Sequence, residues 1–506
     1  MARRVLCHGN VTTAFVSKLP LPGSFEPAYL EYWGILPLGV EGDRLRVATD
    51  REPASEVLED LERSFGVPLD FVSVTRDELL DAIHRTFAAA ESVVELVKDL
   101  DAELGAPSEP GDDGLADARD LANQPPVIRF VNLLIREAHD ARASDIHLES
   151  TREGLHARFR IDGVLMDVPS PPKPLQAAVI SRVKLLAELD IAERRAPQDG
   201  RIRVRLEERE LDLRVSTVPT LYGESVVLRL LDRGGRPVAL DELGMAPEML
   251  DTFRRLAEKP HGILLATGPT GSGKTTTLYG ALGLRERTAE KIITVEDPVE
   301  YHLDRMTQVP VNVRAGMTFA GALRSILRQD PDVLMVGEMR DGEAASIAVQ
   351  AALTGHLVFS TLHTNDAASA ITRLVDLRVE PYLIAATVEA VLAQRLVRKL
   401  CPECRERYEP DTSAVALLAQ RPVGHLMLER GRGCPTCRGT GYRGRTGIFE
   451  LLVISEEIKR ALLKASHAAA LREIAQTEGM TTLREDGWCK VQAGITTVEE
   501  VLRVTD

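Results

Sequence analysis

The sequence is most informative first through what it does not contain. No uninterrupted apolar run approaches the roughly 18–20 residues that a membrane-spanning helix requires. The opening residues Met1-Ala2-Arg3-Arg4 run almost at once into polar His8-Gly9-Asn10, leaving no room for the apolar core of an export signal. The expectation is a chain that stays on the side where it is made and touches a membrane only peripherally. Basic charge is not in excess: 62 Lys and Arg stand against 76 Asp and Glu, a formal net charge of −14. That balance disfavours a dedicated nucleic-acid binder, which needs a basic surface, so no nucleic-acid partner is expected. Cysteine is scarce, with six in all, and four of them fall in two Cys-x-x-Cys pairs. Without an export signal such pairs indicate metal binding rather than disulfides. No internal repeat is present.

What is present is ordinary globular composition, 44% apolar and 27% charged, on a chain of 506 residues. That length exceeds one hydrophobic core and implies three or four domains. Residues 1–104 form the first, a small mixed domain. Within it Leu45-Arg46-Val47-Ala48-Thr49 alternates like a strand, and Val57, Leu58, Leu61 and Phe65 have helical spacing. Thr75-Arg76-Asp77-Glu78 matches a capping box opening a further helix. Nothing in this stretch carries chemistry, so it is expected to be a docking module. Residues 105–124 follow as an acidic linker, since Gly105 to Asp120 holds too few large apolar residues to bury a core.

From residue 125 to residue 236 the pattern is that of an α+β domain. Val127, Phe130, Val131, Leu134, Ile135 and Ala138 mark one helix face. The alternating stretch Leu155–Ile161 then meets the tight-turn pair Asp162-Gly163 before Val164, Met166 and Val168. Strands are expected at Arg201–Leu206, Glu210–Val215 and Ser225–Leu231. Residues 237–506 alternate apolar strands with amphipathic helices, the signature of a parallel sheet with crossover helices. Residues 395–447 interrupt this as an insertion, and a helical segment with Ile458, Leu462, Leu463, Leu471 and Ile474 closes the chain.

The strand Gly262-Ile263-Leu264-Leu265-Ala266 runs into Gly268-Pro269-Thr270-Gly271-Ser272-Gly273-Lys274-Thr275, and Thr276 continues into a helix starting at Lys274. Strand, glycine-rich loop and helix N-terminus are together what phosphate cradling needs. The glycines let backbone N–H groups face the phosphates and the helix dipole adds positive charge. Lys274 reaches the β- and γ-phosphates, and the Thr275 hydroxyl ligates Mg²⁺, so ATP with Mg²⁺ is the expected cofactor. Val333-Leu334-Met335-Val336-Gly337-Glu338 is a second buried strand ending in an acid. P-loop enzymes usually place Asp where Gly337 stands, which makes Glu338 the contact to metal or water. Ile292–Glu296 is another acid-terminated strand, and Glu296 at the carboxyl edge of such a sheet is the expected base or water-orienting residue. His363, after the strand Leu357–Leu362, is a candidate γ-phosphate sensor.

Cys401-Pro402-Glu403-Cys404 and Cys434-Pro435-Thr436-Cys437 offer four thiolates for a tetrahedral structural Zn²⁺, with iron as the smaller alternative. The surrounding stretch is rich in arginine, with Arg395, Arg398, Arg405, Arg407, Arg430, Arg432, Arg438, Arg443 and Arg445. Such a patch is either a solvated face or a contact for anionic phospholipid. Cys7 and Cys489 have no partner in the sequence pattern.

These segments together resemble the secretion ATPases that drive type II secretion and type IV pilus assembly. Four boxes carry the resemblance: the P-loop, Thr294-Val295-Glu296-Asp297-Pro298-Val299-Glu300, Gly337-Glu338-Met339-Arg340-Asp341, and Gly355-His356 through His363-Thr364-Asn365. Ala143-Ser144-Asp145-Ile146-His147-Leu148-Glu149 and Arg160-Ile161-Asp162-Gly163 extend it into the preceding domain, and Gly337 is normal for this family. The resemblance implies an α/β, RecA-like P-loop ATPase domain with a preceding α+β domain, a small N-terminal domain and an inserted zinc module. It implies Glu296 as catalytic carboxylate, Glu338 as Walker B acid, and Arg214, Arg229, Arg324, Arg328 and Arg340 as the charge-stabilising arginines. It further implies a homohexamer on the cytoplasmic face of the bacterial inner membrane, powering pseudopilus assembly and export of folded proteins. Its first domain would dock on the cytoplasmic part of a bitopic inner-membrane protein. Pilus assembly is the nearest alternative; a nucleic-acid motor and a nucleotide-gated scaffold are the others.

Overall fold

The computed structural model describes residues 27–505, apart from 42–43, 52, 77, 81, 84–92, 95, 98–99, 101–121, 207–208, 233–237, 420–425 and 465–466. Most of the expected acidic linker, residues 105–124, lies outside the described residues, as do Cys7 and the end of the α+β segment near residue 236.

The first sheet has three strands, β1 (Ile35–Glu41), β2 (Arg44–Thr49) and β3 (Leu69–Ser73), in the order β1-β2-β3. The helix Ser55–Phe65 crosses between β2 and the parallel β3, and Val57 and Leu61 bury against Leu45 and Val47. The capping box forms as expected: the Thr75 N–H donates to Glu78 Oε2 at 2.9 Å and the Glu78 N–H to Thr75 Oγ1 at 3.3 Å. Val93, Leu96 and Leu100, read above as part of residues 1–104, bury instead with Val127, Phe130 and Val131. The apolar contacts of the second unit therefore begin before the linker.

That second unit is a six-stranded sheet of β4 (Ala143–Ser150), β5 (Leu155–Ile161), β6 (Val164–Asp167), β7 (Gln198–Leu206), β8 (Arg209–Thr220) and β9 (Gly223–Asp232). Its order is β6-β5-β4-β9-β8-β7. Alternation puts Ile146, Leu148, Leu213, Val215, Val226 and Leu228 on one face, covered by the helices Pro125–Asp140 and Gln176–Leu186. The intervening residues point the other way, and among them the register aligns Arg160, Asp145, Arg229, Arg214 and Arg201 straight across five strands.

The third sheet has seven strands: β10 (Gly262–Thr267), β11 (Ile292–Glu296), β12 (Thr307–Pro310), β13 (Val333–Val336), β14 (Leu357–Leu362), β15 (Val388–Leu400) and β18 (Tyr442–Val453). They run in the order β12-β11-β13-β14-β10-β15-β18, parallel except for β18. Both faces are buried, as a parallel sheet requires. Ile263, Leu265, Val295, Leu334 and Val358 enter one core, while Leu264, Ala266, Met335 and Phe359 enter the other.

Between β15 and β18 lies the small ribbon of β16 (Arg405–Tyr408) and β17 (Leu428–Gly431). The insertion is thus shorter than residues 395–447. Arg395 to Leu400 and Tyr442 to Ile448 pair with each other inside the main sheet, because the apolar pattern of Val397, Leu400 and Ile448 continues the core. The cysteine module sits at the tip of this long hairpin. Among the described residues no helix is long and apolar enough to cross a membrane.

Candidate functional site

The P-loop leaves the carboxyl end of β10, between β14 and β15, and feeds the helix Lys274–Leu282. Gly268 has φ +150, and a Cβ there would lie 2.5 Å from the Gln394 carbonyl oxygen. Gly273 has φ +89, and its Cβ would meet Gln394 Nε2 at 2.7 Å. Glycine is needed at both positions because β15 presses against the loop from below. The buried Ser272 hydroxyl has no hydrogen-bond partner within the loop, a donor free for a phosphate oxygen. Lys274 is buried and donates to the carbonyls of Gly268 at 2.7 Å and Pro269 at 3.0 Å. Burial lowers its pKa to about 8, with Arg395 adding to the effect and Glu338 opposing it. These residues fit a nucleotide triphosphate, and Thr275 in the first helical turn fits its Mg²⁺.

Strand order puts the expected acids beside the loop. Glu296 ends β11, Glu338 follows β13, and His363 follows β14, all at the carboxyl edge of adjacent strands. Glu296 is buried and accepts from Tyr279 Oη, from Thr294 Oγ1 at 2.6 Å and from Gln308 Nε2 at 3.2 Å. Glu338 pairs with Arg340 and stands 3.4 Å from His363 Nε2. Gly337 has a local reason: a Cβ there would sit 3.2 Å from the Val295 carbonyl oxygen, pressing on the backbone that carries Glu296.

The second unit's arginines come from the transverse row on its sheet. Arg229 pairs with Asp145 at 2.9 Å, and Arg214 is its neighbour on β8. Burial lowers the Arg214 pKa, Glu300 opposes that, and Arg201 and Arg229 reinforce it. The interaction is mutual: burial raises Glu300, while Arg214 and Arg229 hold it down. Glu300 therefore stands between the arginine row and the Glu296 corner. Arg324 and Arg328 are not gathered here. Arg324 pairs with Glu343, Arg328 donates to the Arg324 carbonyl at 2.8 Å, and neither bonds to a P-loop residue.

Several participants escaped the sequence reading. Tyr279, Thr294 and Gln308 hold Glu296, and Gln394 accepts from Thr277 Oγ1 at 2.6 Å. Arg395, read above as a module arginine, is buried beside the loop and donates to the Asn365 carbonyl at 2.9 Å. Thr294 and Glu300 gave a signal, since both lie in a motif already singled out.

The four cysteine sulfurs all lie within 4.8 Å of one another, with Cys401–Cys434, Cys404–Cys437 and Cys434–Cys437 at 3.9, 3.8 and 3.6 Å. A tetrahedron with metal–sulfur bonds of about 2.3 Å requires sulfur separations of about 3.8 Å, so the cage fits Zn²⁺. Burial would raise the Cys437 thiol, but N–H groups of Cys434 and Gly441 hold it at about 6.

The profile of the type II/IV secretion system protein family matches residues 120–503, and that of the MshEN domain matches residues 13–93. The chain belongs to the type II/IV secretion system protein family. It is 47% identical to the type II secretion system protein E of Xanthomonas campestris pv. campestris, over 94% of this chain and 84% of that one. It is 50% identical to the type II secretion system ATPase E of Vibrio cholerae, over 78% of each chain. Among solved structures, the ATPase DotB of Legionella pneumophila aligns with a TM-score of 0.56 at 22% identity, over 74% of this chain and 95% of that one. The pilus retraction motor PilT with bound ADP aligns with a TM-score of 0.50 at 26% identity, over 73% and 95%. The RecA-like fold is shared with both. The family and the type II relatives together make this chain an ATP-hydrolysing enzyme of type II secretion, ahead of the pilus alternative.

Proposed function

We propose that this ATPase works on the cytoplasmic face of the bacterial inner membrane, as a homohexamer that powers pseudopilus assembly and export of folded proteins. Glu296 carries the reading. It is a buried carboxylate at the sheet edge, held by Tyr279, Thr294 and Gln308, beside a loop built for phosphates. In this reading Lys274 and the loop residues Gly268 to Thr276, through their backbone N–H groups except at Pro269, hold ATP, Thr275 holds Mg²⁺, and Glu296 orients the attacking water. Glu338 holds the metal or its water, and His363, 3.4 Å from it, senses the γ-phosphate. Arg340 neutralises Glu338 before nucleotide arrives. Arg214 and Arg229 close over the transferred phosphoryl group, and Arg324 and Arg328 serve the same charge from a neighbouring subunit.

The domain division supports a motor: a docking domain over residues 1–104, a linker over 105–124, an arginine-bearing domain over 125–236 and the ATPase domain over 237–506. The first domain binds the cytoplasmic part of a bitopic inner-membrane protein, a structural Zn²⁺ stiffens the hairpin tip, and the arginine patch around it meets anionic phospholipid. Phosphate release from Mg·ATP tests the chemistry: Glu296→Gln retains ATP binding and loses about 10²- to 10⁴-fold in turnover. Turnover equal to wild type would remove Glu296 from the reaction. The immobilised full chain, exposed to solubilised membranes of the producing bacterium, is expected to retain a secretion-system protein; retention of a pilus protein would favour the alternative.

A further inference from the structure

A cleft of about 330 Å³ opens between the second unit and the cysteine hairpin. Arg142 lines it from the second unit, just beyond the helix Pro125–Asp140, and Arg398, Arg438 and Arg443 line it from the hairpin. Most hairpin arginines are already answered by a carboxylate: Arg405 by Glu429, Arg430 and Arg432 by Glu406, Arg445 by Asp162, Arg398 by Glu500. Arg142, Arg438 and Arg443 are different. None of the three pairs with a carboxylate among the described residues, all three are exposed, and all converge on this one cleft. Arg398, which also lines the cleft, is committed to Glu500 and stacks 4.1 Å over the Tyr442 ring.

Two acids also line the cleft, Asp140 and Asp162. Asp162 is occupied, accepting the Gly444 N–H at 2.8 Å and facing Arg445 at 3.4 Å. That leaves Asp140 as the single uncommitted carboxylate against the cationic wall. Arg142 and Arg438 also hold left-handed backbone, with φ 55 and 54, where Asn or Gly is the easier choice.

We propose that this cleft is a phosphate-binding site, distinct from the P-loop, that bridges the second unit and the cysteine hairpin. Planar guanidiniums from two sides match the several oxygens and multiple charge of a phosphate group. The volume lies at the small end of ligand sites and takes a phosphate with a small organic group rather than a whole nucleotide. The phosphate is carried either by a small soluble molecule or by a lipid headgroup. Either source clamps the two units into one orientation, because Arg142 moves with one and Arg438 and Arg443 with the other. The proposal goes beyond the catalytic reading and does not depend on it, since a chain unable to hydrolyse ATP would still bind here.

The test uses the full chain with its P-loop saturated by Mg·ADP, titrated calorimetrically with pyrophosphate. A parallel arm measures flotation with vesicles of phosphatidylcholine alone or with added phosphatidylglycerol. The variants are Arg142→Asn and Arg438→Asn with Arg443→Gln, chosen because Asn tolerates the left-handed backbone. Saturable pyrophosphate binding, weakened about tenfold or more by either variant, supports the site and a soluble ligand. Phosphatidylglycerol-dependent flotation lost in both variants, without pyrophosphate binding, supports it with a headgroup ligand. Binding in neither arm, or binding unchanged in Arg142→Asn, overturns it. The Arg142 variant separates this cleft from a generally basic hairpin surface, because Arg142 is not part of that hairpin.

Discussion

Lys274 is a cation buried under its own loop, and the ordinary lysine pKa of 10.5 falls to about 8 there. Phosphate oxygens favour the charged form, so below about pH 8 nucleotide binding needs no proton, and above it binding must restore one. ATP affinity is therefore expected to fall as pH rises from about 8, with up to one proton taken up per nucleotide. Calorimetry in buffers of different ionisation enthalpy reads this directly, and a pH-independent affinity between 8 and 10 would remove the linkage. The same depression gives the nucleotide-free chain a rise in stability across about 8 to 10.5, because there the unfolded lysine still holds a proton that the folded one has shed. Tyr279 poses a different question. Burial, then the charge of Glu296, push its pKa up, so its hydroxyl stays a donor to that carboxylate throughout the working range. Tyr279→Phe leaves Glu296 with two donors, and we expect kcat to fall by about tenfold while KM holds, since the lost hydroxyl donates to Glu296. A matching rise in KM would mean that the loop itself had moved. Neither Tyr279 nor Gln308 was legible in the sequence, because each sits in a stretch whose pattern reads as ordinary helix or strand. The role of Gln308 exists only once β11 and β12 are neighbours, and that of Tyr279 only once the helix Lys274–Leu282 packs beside β11.

At the scale of elements, period and punctuation were enough for most of the chain. The strand Ile292–Glu296, the helix Pro125–Asp140 and the Asp162-Gly163 hairpin stand where the pattern placed them. The cysteine hairpin did not, because glycine and arginine around Thr446 hide strand residues whose partners lie about fifty positions away. Long-range antiparallel pairing leaves no local signal beyond alternation, and exposed Arg443 and Arg445 alternate with the half-buried Tyr442, Gly444 and Thr446. The cage at its tip carries its own expectation. One Zn²⁺ per chain should be found by metal analysis, and Cys437→Ser should lower that to near zero. Because β16 and β17 form a two-stranded ribbon, too small to stand alone, loss of metal should loosen the tip ahead of the sheet. Limited proteolysis should then cut first between residues 401 and 441; an unchanged cleavage pattern in the metal-free variant would mean that packing alone holds the tip.

Across the whole molecule, the site is divided between two sheets that share no strand. One sheet supplies the loop, Glu296 and Glu338; the other supplies the row Arg160, Asp145, Arg229, Arg214 and Arg201. Within that row the one acid, Asp145, pairs with Arg229 and Arg160 and leaves Arg214 and Arg201 to others, so the row holds surplus positive charge, and burial disfavours the charge of Arg214. Glu300 answers part of it from across the divide. A γ-phosphate carries more charge than Glu300 and offers more acceptors, so nucleotide should draw the row away from Glu300 and toward the loop. Hydrolysis removes that attraction, and the row returns to Glu300. On the proposed function, Arg214 serves the transition state and the closing motion rather than the ground-state grip, which falls to Lys274 and the loop. Arg214→Ala should reduce turnover by about 10³-fold or more while ATP still binds. Glu300→Gln should instead leave the row unanswered in the open form and tighten ATP binding by several-fold, because the competitor for Arg214 and Arg229 is gone. Paired measurements of phosphate release and of binding to a slowly hydrolysed analogue separate the two. Unchanged turnover in Arg214→Ala would place that arginine outside the reaction, and weaker binding in Glu300→Gln would show that Glu300 holds the nucleotide side together rather than competing with it.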